Sequence, residues 1–336
     1  MSDRIALSQR FIESAGWGGA ERRFLAGDAS DRSYDRLIRG AQTAVLMDAP
    51  PGQGDDPATF LTIAAHLSTI GLSAPACYAS DLENGFLLLE DLSDKIFARV
   101  METAPALEIP LYTAATEVLA HLQRHPPAPD LPNLSAADWA EAACFSLDWY
   151  RFAITGTRTY PTDFRQAVTD AMTRHADAAR VMILRDYHAE NLLWLPNRAG
   201  IARVGLLDFQ LAQLGQPAYD LVSLLQDARR DVSPDTETAM IRTFCELTGT
   251  NHAEFGFAYA AIGAQRALRI LGIFARLCLH GGKPGYLALM PRVWYQLQRN
   301  LSAPQLGPLA KICTRLLPEP TPEALAKIGA QCGHFR

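Results

Sequence analysis

The sequence predicts an α+β chain in two lobes, a small β-rich one first and a larger, mainly helical one after it. Three observations carry this. The chain has 336 residues, about half of them apolar, which is enough for two cores. Short apolar runs separated by Gly/Asp/Ser turns crowd residues 18–93. From residue 94 onward, apolar residues recur mostly at helical spacing in long segments. The lobes are therefore set at 1–93 and 94–336.

The elements follow in order. Met1 to Trp17 mixes Asp3, Arg4, Arg10 and Glu13 with apolar residues, so it reads as an amphipathic helix and not a signal peptide. Arg22–Ala26, Ser33–Arg39 and Ala44–Asp48 are strands, joined by Gly27-Asp28-Ala29-Ser30-Asp31 and Arg39-Gly40-Ala41-Gln42, which have turn chemistry. In the first turn, small residues and backbone N–H groups can approach phosphate oxygens, which makes Asp28, Ala29 and Ser30 nucleotide-binding candidates. A ligand-free hairpin turn has the same composition. Asp55 or Asp56 with Pro57 starts a helix to about Ile70. Phe86–Leu89 is a buried strand ending at Glu90-Asp91-Leu92, where backbone groups could meet an adenine ring.

Lys95 to His125 holds two helices that stop at Pro126-Pro127. Asp138 to Thr155 is a further helix with Trp139, Phe145, Trp149, Tyr150 and Phe152 along it. Its aromatics could wall an acceptor pocket or simply be core, with Glu141, Asp148 and Trp149 as the acceptor candidates. Val181–Leu184, Asn191–Leu195 and Ala202–Leu207 are short buried strands. Gln226 to Asp231 ends a helix, and its Arg229 and Arg230 could bind an anionic group or form a solvated end. Helices Thr236–Thr248, Phe255–His280 and Tyr286–Asn300 follow, with Gly281–Gly285 as a loop.

The chemistry concentrates in Leu184-Arg185-Asp186-Tyr187-His188-Ala189-Glu190-Asn191 and in Leu207-Asp208-Phe209-Gln210. An Asp, an Asn five residues on, and a second Asp beyond an apolar strand are what phosphoryl transfer needs. Asp186 would accept a hydroxyl proton, while Asn191 and Asp208 would hold Mg²⁺ against nucleotide phosphates. Arg185 and Asp220 would support the loop. For Asp220, just before Leu221-Val222-Ser223-Leu224-Leu225, capping its own helix is the better local reading. His188 is grouped with the acceptor side, packing or hydrogen-bonding within the loop and not acting as the base.

Composition excludes other classes. A net charge of −5 argues against nucleic acid or an anionic membrane as partner. The most apolar later segment, Phe255 to Leu279, is broken by Arg266, Arg269 and Arg276 and reads as a core helix, not a membrane span. Six cysteines without a CxxC pair suit reduced thiols in the cytoplasm. A monomer is expected.

These motifs, with Pro217-Ala218-Tyr219-Asp220-Leu221, resemble the aminoglycoside phosphotransferase/choline kinase branch of the protein-kinase-like fold. A narrower resemblance runs through Gly27-Asp28-Ala29-Ser30, Leu46-Met47-Asp48-Ala49-Pro50-Pro51, Leu89-Glu90-Asp91-Leu92 and Leu271-Gly272-Ile273-Phe274-Ala275-Arg276-Leu277. It is to bacterial anomeric sugar kinases of cell-wall recycling. The resemblance implies ATP and Mg²⁺ as cofactors, ATP between the lobes with its adenine at Glu90, Asp91 and Leu92, and an amino sugar as acceptor. An aminoglycoside, a choline-like alcohol or another hydroxyl acceptor is the alternative, and a nucleotide-binding pseudokinase a third reading. One departure stands out. Kinases carry a phosphate-binding Lys on the third strand and a Glu on the next helix. Here Met47 stands at the Lys position, no lysine precedes Lys95, and Pro57 to Ile70 has no Glu. Arg32 and Arg36 are the replacement candidates. The anomeric sugar kinases share the Met-Asp-Ala-Pro-Pro stretch, so the departure does not imply a dead enzyme.

Overall fold

The computed structural model describes residues 2–27, 32–52, 54, 56–177 and 179–335. The chain folds as two compact units. The first comprises Met1–Pro129 and Ala189–Ala212, the second Asp130–His188 and Gln213–Arg336.

In the first unit, α1 (Ser2–Ser14) precedes strands β1 (Glu21–Ala26), β2 (Ser33–Arg39) and β3 (Gln42–Asp48). Helix α2 (Pro57–Thr69) then leads to β4 (Cys77–Asp81) and β5 (Phe86–Glu90). The five strands form one antiparallel sheet in the order β1-β2-β3-β5-β4. Strand alternation sorts the residues by face. Leu37, Ala44, Leu46, Phe86 and Leu88 pack with Phe11 and Ile12 of α1, where the Phe11 and Phe86 rings stack at 5.7 Å. Tyr34 pairs with Met47 and Arg36 with Val45, so these four share the opposite face. Helix α2 starts where Asp56 accepts the N–H of Ala58 at 2.8 Å with Pro57 at the first position. Strand β4 escapes the sequence reading because it is largely exposed and has no apolar face. The β4–β5 turn needs Gly85 at φ 74°, since a Cβ there would fall 1.9 Å from the Ala49 carbonyl oxygen. The Gly85 carbonyl in turn accepts the Ala49 N–H at 2.8 Å, fixing the Met47–Pro51 stretch. Helices α3 (Phe97–Thr103) and α4 (Glu108–Gln123) follow.

The second unit begins with α5 (Ala136–Ala143), a π-helical segment Ser146–Arg151, α6 (Phe152–Thr155) and α7 (Thr162–His175). The single helix expected over Asp138–Thr155 is therefore broken. It starts earlier, in a capping box of Ser135 with Asp138, and widens after Phe145. There Gly272 comes so close that a Cβ on it would lie 2.2 Å from the Phe145 carbonyl carbon, and the wider turn admits this approach. After β6 (Val181–Ile183) the chain returns to the first unit for the hairpin β7 (Leu192–Trp194) and β8 (Val204–Leu206). It re-enters the second unit at β9 (Gln213–Gly215), which pairs antiparallel with β6. Helices α8 (Tyr219–Leu225), α9 (Pro234–Thr248), α10 (His252–Leu279), α11 (Met290–Leu301), α12 (Gly307–Leu316) and α13 (Pro322–Gly329) complete it. A 3₁₀ turn over Pro284–Leu289 stands before α11, where one helix from Tyr286 was expected. No helix among the described residues is long and apolar enough to cross a membrane.

Candidate active site

In the second unit, the segment leaving β6 carries Asp186. Both oxygens of the buried Asp220 carboxylate receive its backbone: Leu184 N–H donates at 2.6 Å and Arg185 N–H at 2.8 Å. Asp220 lies inside the first turn of α8, whose N-cap is Ala218, so it does not cap its own helix as its local sequence suggests. Its partners lie 36 and 35 residues earlier, which local reading cannot reach. Arg185 holds φ 72°, a left-handed conformation that costs a non-glycine residue about 1–3 kcal/mol unless its surroundings enforce it. The Asp186 N–H folds back on the Leu184 carbonyl at 2.9 Å. Burial raises the Asp220 pKa to about 7 against the pull of the two N–H donors and of Arg266.

His188 is buried. Burial lowers its pKa; Asp227 and Asp186 pull it upward, while Arg229 and Arg266 add to the lowering. Asp227, 3% exposed, is a neighbour that the sequence did not single out. Helix α8 ends at Leu225 and does not run to Asp231 as expected, because the Asp227 carboxylate accepts the Arg229 N–H at 2.8 Å and turns the chain. Arg229 is consequently exposed and Arg230 half-buried. Glu141 sits at the surface in an ion pair with Arg165 at 2.7 Å. Trp149 lies under the Arg276 guanidinium, 5.9 Å from its ring centre, and burial raises the pKa of the neighbouring Asp148.

The rest of the motif belongs to the first unit. The Asn191 amide nitrogen stands 3.4 Å from a carboxylate oxygen of Asp208, and Gln210 donates to the other Asp208 oxygen at 2.7 Å. Asp208, like Arg185, is left-handed, with φ 56°. Phe209 anchors it by stacking on Phe60 of α2 at 4.9 Å, while Leu207 N–H donates to the Asn191 carbonyl at 3.0 Å. Trp194 N–H donates to the Lys95 carbonyl at 2.7 Å, which ties β7 to the start of α3.

On the sheet, Glu90 pairs with Arg198, and Leu92 packs on Leu193 and Leu195. Asp91 receives the Ser93 N–H at 3.0 Å. The Arg36 guanidinium bonds Asp94 at 2.8 Å and Asp91 at 3.0 Å. Its charge is met by these two carboxylates. Arg32 is buried, as is Met47. Asp28, Ala29 and Ser30 lie outside the described residues.

Residues 21–259 match the phosphotransferase enzyme family named for aminoglycoside phosphotransferases. The chain belongs to this family. It is 36% identical to an N-acetylmuramate/N-acetylglucosamine kinase of Caulobacter vibrioides, over 95% of this chain and 98% of that protein. With the kinase of the same name from Pseudomonas aeruginosa it shares 32% identity, over 92% and 93%. Among solved structures, a choline/ethanolamine kinase family protein from Mesorhizobium loti superposes with a TM-score of 0.61 at 15% identity, covering 97% of this chain and 99% of that one. The streptomycin–ATP–APH(2″)-IIa ternary complex gives 0.57 at 13% identity, over 90% and 97%. This phosphotransferase therefore has the α+β fold of the aminoglycoside phosphotransferases and choline kinases, a five-stranded antiparallel sheet followed by a mainly helical region.

Proposed function

We propose that this kinase transfers the γ-phosphoryl group of ATP, with Mg²⁺, to the anomeric hydroxyl of N-acetylmuramate or N-acetylglucosamine. The observation that carries the acceptor is the 36% identity, over nearly the full length of both chains, to a protein of that named activity. Asp186 orients the acceptor hydroxyl and takes its proton late, as charge moves to the leaving phosphate. Asn191 and Asp208 offer an amide and a carboxylate side by side, which suits a hard cation that takes few protein oxygens and completes its shell from phosphates and water. Mg²⁺ held there would shield the phosphate charge. Gln210 and the stacked Phe209 keep the Asp208 carboxylate in place.

We assign phosphate contact to Arg32, which directly follows the Gly27–Asp31 turn in sequence, while Arg36 bonds Asp91 and Asp94. Arg36 then orders the segment from Glu90 to Asp94, within which the backbone of Glu90 to Leu92 receives adenine. His188, whose pKa burial lowers, shapes the acceptor side and leaves the proton to Asp186. Arg229 and Arg230 suit a carboxylate such as that of N-acetylmuramate, and Glu141 and Trp149 remain outer acceptor contacts. We assign nucleotide binding to residues 1–93 and acceptor binding with catalysis to 94–336. We place the enzyme in the cytoplasm as a monomer, where its free thiols stay reduced.

The test is ATP consumption with Mg²⁺ against N-acetylmuramate, N-acetylglucosamine, kanamycin, choline and homoserine, with NMR of the product. A C1 phosphate on an N-acetyl sugar is expected; turnover confined to kanamycin, choline or homoserine overturns the acceptor. Asp186→Ala should cut turnover by about 10²–10⁴-fold and leave ATP binding by calorimetry nearly unchanged.

A further inference from the structure

The catalytic segment is gripped by more than Asp220. Along α8, Asp220 in the first turn takes the N–H groups of Leu184 and Arg185, and one turn later Ser223 donates its hydroxyl to the Arg185 carbonyl at 3.1 Å. Ser223 and Asp220 are three residues apart and so face the same side of the helix. Every backbone polar group of Arg185, the residue that precedes Asp186, is therefore held by this one face of α8.

That leaves the Ser223 oxygen as an acceptor, and Arg266 of α10 fills it. The Arg266 guanidinium, on a side chain 7% exposed, donates to the Ser223 oxygen at 2.6 Å and lies over the Tyr219 ring, 5.0 Å from its centre. The chain of contacts runs Arg266, Ser223, Arg185, Asp186. A buried guanidinium is expensive, and a hydroxyl is a weak partner for it. Helix α8 is also fixed at its far end, where buried Gln226 and Asn300 of α11 exchange amide bonds at 3.1 and 2.8 Å. The far end of α8 is thus held without Arg266, and an alkyl side chain could fill the place of Arg266 if packing were its task.

We propose that Arg266 is a positioning residue for phosphoryl transfer, acting through Ser223 on the Arg185 carbonyl to hold Asp186 in its reactive place. This rests on the reading of Asp186 as the proton acceptor. The left-handed φ of Arg185 supplies a reason for the device: a strained residue beside the reacting carboxylate stays strained only while its neighbours enforce it. Arg266 also faces Asp220, together with Asp186 and Tyr187 from the catalytic segment, and its charge favours the ionised carboxylate that accepts both N–H bonds.

The experiment uses the full chain with Arg266→Met, Arg266→Lys, Ser223→Ala and the Arg266→Met/Ser223→Ala double variant. Two readouts are taken: steady-state kinetics on N-acetylglucosamine across pH, and amide hydrogen exchange of the peptide covering 181–188. Arg266→Met should lower kcat about 100-fold with KM for ATP nearly unchanged, since a displacement of about 1 Å at a reacting group has that effect. The acid limb of its kcat profile should move to higher pH. Ser223→Ala should act similarly, and the double variant should be little worse than either, because both cut one chain. Arg266→Lys should recover about tenfold, as its ammonium can still donate to Ser223. Exchange at Leu184 and Arg185 should quicken in the variants that lose the contact, while the sheet of the first unit keeps its protection. The proposal fails if Arg266→Met keeps its kcat, if the two single losses multiply in the double variant, or if exchange at 181–188 is unchanged. An enzyme that ignores amino sugars but shows the exchange effect would sink the acceptor assignment and leave Arg266 standing.

Discussion

The loop that carries Asp186 and the sheet that carries Arg36 treat their charges in opposite ways. Behind Asp186, the buried groups Asp220, Ser223 and Arg266 bond mainly to backbone and to each other, and two of them are ionisable. On the sheet, Arg36 reaches Asp91 and the largely exposed Asp94, and Met47 of the neighbouring strand is buried. The first arrangement spends ionic groups to fix backbone geometry, which matters to a reaction step. The second neutralises a cation with one sheltered carboxylate and one exposed to water, which screens the exposed one's share of the gain. Damage to the first should therefore appear in kcat and damage to the second in KM for ATP.

The sharpest break of that contrast is Asp220→Asn. The amide keeps one acceptor oxygen but turns an NH₂ toward the other backbone N–H. One orphaned donor costs about 1–3 kcal/mol of stability. Turnover should fall about 100-fold through displacement of Arg185 and Asp186. Urea unfolding and kcat measured on the same preparation would separate the two effects. A variant that loses stability but keeps its kcat would show that the clamp serves folding alone.

A pH series makes a smaller and more specific demand. Burial raises the Asp220 pKa to about 7, above the usual range near 4 for an unfolded aspartate. The folded protein therefore holds a proton there that the unfolded chain has released. The stability associated with that proton is fully present below about pH 4, declines as pH rises to about 7, and then stays flat. Catalysis runs the other way, because the ionised carboxylate accepts both N–H groups. Between pH 5 and 7 the melting temperature should fall with rising pH while kcat increases. Asp220→Asn should remove this inverse relation. Parallel rises of both quantities in the native enzyme would place the titrating group elsewhere.

Much of this contrast was legible in the sequence, in proportion to how local its causes are. Strands β1, β2, β3 and β5 could be read because their apolar runs and Gly/Asp turns are neighbours in the chain. Asp186, Asn191 and Asp208 could be singled out as candidates for the same reason, since the spacing is itself the signal. What escaped depends on distant partners. Asp220 looks like a helix cap until the N–H groups of Leu184 and Arg185 are seen to fill both of its oxygens. The break in the aromatic helix coincides with the close approach of Gly272, far along the chain. Ser223 and Arg266 read as ordinary helical residues, and Arg266 served only as an argument against a membrane span. Nothing near Arg36 in the sequence announced Asp91 and Asp94 as its partners.

Arg36→Ala is the mildest test, and it probes the sheet side of the comparison. Removing the guanidinium frees two carboxylates: Asp94, which is already largely exposed, and Asp91, whose side chain is 6% exposed and keeps the Ser93 N–H. The exposed Asp94 pair contributes little, but the sheltered Asp91 carboxylate loses its cation, so stability should fall by about 1–3 kcal/mol. The ordering of the Glu90–Asp94 backbone is a different matter. If that backbone receives adenine, a looser segment weakens ATP binding in the ground state and the transition state alike, which raises KM and spares kcat. An increase of about fivefold in KM for ATP, with kcat nearly unchanged, is the expected result. Because opposite charge attracts phosphate, a direct phosphate role for Arg36 would lower kcat as well, through lost stabilisation of the developing charge. The ratio of the two effects in one variant thus decides between an arginine that orders the segment after β5 and one that touches the nucleotide.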